Sequence, residues 1–117
     1  MEGTVAMVQG GYFLATGIWP LVSIGTFQKV TGPKRDLWLV KTVGVMIAAI
    51  GAALLLAGMR GELTQATVLL AVGSAAGLGC IDVVYASKGV IAPIYLLDAG
   101  AEAALVIWWA VLIIQAP

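Results

Sequence analysis

The sequence contains no histidine and one cysteine, Cys80. Without histidine, the usual axial ligand of haem, most zinc sites and every Ser-His or Cys-His catalytic pair are excluded. A single cysteine cannot form an internal disulfide, and Cys80 lies in an apolar run where inert packing is expected. Charge is as scarce. Only 10% of the 117 residues are Asp, Glu, Lys or Arg, and the six basic residues balance the six acidic ones. A neutral chain offers nucleic acid no electrostatic footprint, so no nucleic-acid partner is expected. No phosphate-binding glycine loop, metal-ligand spacing or cofactor motif is present, so no cofactor is expected.

What fills the chain instead is hydrocarbon. Hydrophobic residues make up 62% of it, and the mean hydropathy is +1.06. A soluble domain carries about 25% charged residues. A core this apolar would lack the polar surface to cover it, so the solvent for most of the chain is the lipid bilayer. Four runs reach the roughly 20 residues that a membrane-spanning helix needs. They cover residues 5–27, 37–59, 64–86 and 90–114. Backbone polar groups in lipid must be satisfied within the segment, and the β-barrel alternation is missing, so each run is expected to be a helix. Short connections favour antiparallel neighbours. The expected fold is therefore an all-α integral membrane protein, a single-domain up-down-up-down bundle of four transmembrane helices.

Turn and cap signals punctuate the runs. Pro20 is expected to kink the first helix, and Pro93 falls in the first turn expected for the fourth. Gly32-Pro33 marks a turn, and Asp36 stands where it would cap the second helix. No Lys or Arg precedes the first apolar run, so a retained helix is expected there, not a cleaved leader. Lys29, Lys34, Arg35 and Lys41 surround the first connection and Lys88 lies in the third, against Arg60 alone in the second. The positive-inside rule then puts the first and third connections in the cytoplasm and both termini outside, with a bacterial inner membrane the fitting location. Trp38, Trp108 and Trp109 are expected in the interfacial aromatic belts.

One stretch resists this description. Asp98 and Glu102 lie one helical turn apart inside the fourth apolar run. Their helix face reads Ile91, Tyr95, Asp98, Glu102, Leu105, Trp109. By the rise of about 1.5 Å per residue, Asp98 is expected roughly 12 Å and Glu102 roughly 18 Å inside the helix end. The third run contributes Asp82 and Tyr85, the second Lys41, and the first a polar face of Gln9, Tyr12, Thr16 and Ser23. A charge at the bilayer centre costs about 2.5–3.5 kcal/mol on insertion scales. The carboxylates are therefore expected to face the bundle interior, with one of them holding a proton. Lys41 either pairs with Asp82 or snorkels to the headgroups. Small-residue pairs, Gly44-x-x-x-Ala48 and Gly73-x-x-x-Gly77 among them, are expected to let helices pack closely within the bundle.

The ligand- or proton-binding residues expected on these grounds are Asp98, Glu102, Asp82, Lys41, Tyr95, Tyr85, Thr16 and Ser23. The function they suggest is binding or transport of a small cation, a proton or an amphiphile at a polar cluster open toward the cytoplasm. Two alternatives use the same residues. In one the chain is an accessory or assembly subunit, its polar face meeting partner helices in a homodimer or larger membrane complex. In the other it is an intramembrane lipid-modifying enzyme, with the paired carboxylates as acid and base.

Overall fold

A computed structural model describes residues 2–115. The described chain is all-helical, with α1 Glu2–Val22, α2 Ile24–Thr31, α3 Leu37–Arg60, α4 Gln65–Ser87 and α5 Tyr95–Gln115. Of these, α1, α3, α4 and α5 are long and apolar enough to cross a membrane.

Glycine spacing explains the tightest contact. On α1, Gly3, Gly10 and Gly17 recur every seventh residue, and so do Gly44, Gly51 and Gly58 on α3. The two series meet in antiparallel order. A methyl group added at Gly10 would lie 2.6 Å from the Gly51 carbonyl oxygen, one at Gly17 would lie 2.6 Å from that of Gly44, and one at Gly3 would lie 2.9 Å from that of Gly58. The backbones touch with no side chain between them, the geometry that small residues permit where lipid supplies no hydrophobic drive. α4 and α5 form a second pair, and contact between the two pairs is sparser. The core between them is built from Val5, Ala6 and Phe13 of α1, Leu54 of α3, Ala71 and Ala75 of α4, and Leu105 and Trp109 of α5.

Three expectations about the helix ends are corrected. The first run is not one helix to residue 27. It ends at Val22, and Ser23 caps α2, its hydroxyl accepting from the Thr26 N–H at 3.4 Å. Pro20 has already removed one helical donor, and the Ser23 side chain gives the backbone an alternative partner. The last helix begins at Tyr95, not at residue 90. Gly89, at φ 73°, ends α4 in a left-handed turn, and the Val90 and Ile91 N–H groups fold back onto the Tyr85 carbonyl. Pro93 therefore precedes α5, in a tight turn where the Leu96 N–H donates to its carbonyl. Asp36 occupies the N-cap of α3, but its carboxylate makes no cap hydrogen bond; only its carbonyl accepts, from Leu39 and Val40.

Two expectations about faces fail as well. Trp109 is not an interfacial anchor but fully buried, whereas Trp38 is exposed. Gly73 and Gly77 pack against nothing, since a methyl group at either would meet open space. The close-packing glycines are those of the α1–α3 seam.

Candidate functional site: an occluded carboxylate cluster

Four side chains from three helices make the site. Asp98 and Glu102 stand one turn apart on α5, so they share a face. Asp82 on α4 is buried and is a close neighbour of Asp98. Tyr12 crosses from α1, and its hydroxyl donates to Asp98 Oδ1. The new start of α5 makes the cluster shallower than expected. Counted from Tyr95, Asp98 lies about 4.5 Å and Glu102 about 10.5 Å along the helix.

Burial without partners distinguishes the cluster from an ordinary polar clamp. Glu102 is 1% exposed and Asp82 is 6% exposed. Neither Glu102 oxygen has a hydrogen-bond partner, and neither does Asp82 Oδ2. A buried polar atom left unpaired costs on the order of 1–3 kcal/mol, more when it is charged. No cation compensates from within, because the one ion pair among the described residues, Arg60–Glu62, lies on the surface. Nor do three His, Cys, Asp or Glu side chains converge, among the described residues, to hold a metal ion.

Glu102 and Asp82 are buried while Asp98 is half-buried, and the cluster is flanked on two sides. On one side the buried Gln9 amide donates to the Ala71 carbonyl at 2.8 Å and accepts from the Trp109 indole N–H at 2.7 Å, tying α1 to α4 and α5. Phe13 and Leu105 are buried with Trp109 in the same core. On the other side, the connection between α2 and α3 lies over the start of α5, and the Lys34 ammonium sits 5.1 Å from the centre of the Tyr95 ring. That ammonium also donates to the carbonyls of Thr31 and Gly32, which holds the connection in place.

The structure thus brings Asp82, Asp98 and Glu102 together and places Tyr95 one turn before Asp98. It does not bring in the others. Lys41 is exposed on α3, so the ion pair with Asp82 does not form. Lys41 shares the helix face of Gly44 and Ala48, which the glycine seam turns toward α1 and not toward α4. Tyr85 is 39% exposed, with Lys88 over its ring. Thr16 spends its hydroxyl on the Tyr12 carbonyl, and Ser23 caps α2. Cys80 is exposed instead of packed. Sequence reasoning passed over Tyr12, Gln9, Lys34 and Trp109 as site residues. The signal for the first two was the polar face of α1; nothing local marks Lys34 or Trp109. Comparison with protein families, characterised proteins and solved structures gives no match for this chain.

Proposed function

We propose that this chain is a four-span, up-down-up-down membrane protein that takes up and releases protons at Asp82, Asp98 and Glu102, in exchange for a cationic ligand. The observation that carries this reading is Glu102, 1% exposed with both carboxylate oxygens unpartnered and no basic residue beside it. An ionised carboxylate in that position would bear a desolvation penalty of several kcal/mol, on the order of that for any unpaired buried ion. A bound proton removes the penalty, and a cation entering the cluster would do the same. In this reading the basic connections face the cytoplasm and the membrane is a bacterial inner membrane.

Infrared difference spectroscopy of the protein in vesicles tests it. A carboxylic-acid C=O band should appear and vanish with pH and be absent in Glu102→Gln. A band that persists in that variant and also in Asp82→Asn would defeat the proposal.

A second reading is supported by the outward face of α4. Gly73 and Gly77 leave open space there, and Cys80 is exposed beside them. An accessory subunit would cover such a face with a partner helix. A stable, folded monomer in detergent would count against it.

A further inference from the structure

An apolar groove of about 460 Å³ runs along the outer surface between α4 and α5. Ala75, Gly79 and Val83 line it from α4, and Ala99, Ala103 and Ile107 from α5. Gly79 brings no side chain of its own to that lining. A methyl group added there would lie 3.2 Å from the Glu102 Cβ, so the Gly79 backbone packs directly against the stem of Glu102. Glu102 lies one turn after the groove residue Ala99 and directly before the groove residue Ala103, and neither of its oxygens has a partner.

We propose that this groove is the binding site for an amphiphilic organic cation, a molecule with an apolar tail and a quaternary or primary ammonium head. This rests on the reading of the cluster as a proton-exchanging site. The tail would lie along the groove, and the head would displace a proton from Glu102 or Asp82, the proton leaving to solution. Charge complementarity selects this class. The cluster holds three carboxylates and no internal cation, and three of their oxygens have no partner. A hydrated inorganic ion has no favourable way in. The groove is hydrocarbon, where a bare ion loses its hydration. The other approach runs past Lys34, with Arg35 and Lys88 in the neighbouring connections and Lys29 in the last turn of α2, and like charge disfavours a cation there. A cation that carries its own apolar tail pays least of that desolvation, and it reaches the groove directly from the lipid.

The test uses the full chain in neutral-lipid vesicles, with dodecyltrimethylammonium as the probe and dodecanol as its uncharged counterpart. Calorimetry reads binding, a pH-indicator dye reads proton release, and the Glu102 carboxyl band reads the cluster. The ammonium should bind with proton release, and dodecanol without it. Ala103→Trp, which fills the groove, should weaken the ammonium by about tenfold or more, equivalent to about 1.4 kcal/mol. Ala104→Trp, on the neighbouring exposed position, should leave binding unchanged, and Ala103→Leu serves where the larger side chain impairs folding. Binding unaffected by filling the groove, or binding without proton release, would overturn the proposal. So would absence of ammonium binding while the Glu102 band still titrates, an outcome that leaves the proton site standing. Absence of the titrating band would remove both.

Discussion

The Trp109 indole N–H donates to Gln9 Oε1 at 2.7 Å, joining two fully buried side chains one hundred positions apart in the chain. The same glutamine donates to the Ala71 carbonyl, so one amide ties α1 to both α4 and α5. Cross-contacts between the helix pairs are otherwise sparse, which gives this amide unusual weight. Gln9→Leu should destabilise the protein by about 1–3 kcal/mol, because it leaves the buried indole N–H unpaired. Thermal unfolding in detergent checks this. Pairing Gln9→Leu with Trp109→Phe should recover part of the loss, since both polar partners are then removed.

The α1–α3 seam should tolerate no added side chain. Gly10 and Gly11 are adjacent, yet a methyl group at Gly10 would sit 2.5 Å from the Leu55 nitrogen while one at Gly11 would meet nothing within 4 Å. Gly10→Val should therefore cost about 3 kcal/mol or more, because backbone and not a movable side chain blocks the space. Gly11→Val should stay within about 1 kcal/mol, the ordinary scale of a surface change. Expression and thermal stability of the two variants, compared side by side, decide it.

Tyr12 and Asp98 should be coupled through the donated hydroxyl. Tyr12→Phe removes the donor and is expected to cost about 1–2 kcal/mol. Asp98→Asn keeps an acceptor oxygen, so it should cost less. A double-mutant cycle with unfolding as the readout should return a coupling of about 0.5–3 kcal/mol. A coupling near zero would mean that the contact is incidental.

The two lysines invert what position alone suggests. Lys41 is exposed and unpaired with Asp82, so Lys41→Met should change stability by less than about 0.5 kcal/mol. Lys34 makes two hydrogen bonds to backbone carbonyls and faces both Phe27 and Tyr95. Lys34→Met should lower stability by about 1–2 kcal/mol and loosen the start of α5. Hydrogen exchange at residues 95–98 would report that loosening directly.

Glu102→Gln should insert and fold as well as the parent chain or better, because it swaps an ionisable group for a neutral one of the same size. It should abolish the Glu102-dependent infrared band and any proton release on cation binding. A variant that folds poorly but retains both would show that the residue serves packing alone.

Hydropathy and helical period determined a great deal by themselves. Four long apolar helices were legible because hydrocarbon length and backbone satisfaction act on each segment alone. So was the shared face of Asp98 and Glu102, since spacing within one helix needs no tertiary knowledge. Local chemistry that competes with the helix was harder to weigh. Ser23 ended α1, and the turn from Gly89 to Pro93 delayed the start of α5, where the apolar runs continued, and hydropathy does not register such breaks. Which groups meet across helices was decided only by the tertiary structure. The seven-residue glycine series is visible in the sequence once its meaning is known, but its partner is not. That seam turns the α3 face that carries Lys41 toward α1 and not toward Asp82, and it holds α1 so that Tyr12 meets Asp98 and Gln9 meets Trp109. Rotation about a helix axis is set by packing against neighbours, a non-local quantity. For that reason the two carboxylates could be read from the fourth run alone, while their isolation from every basic side chain could not.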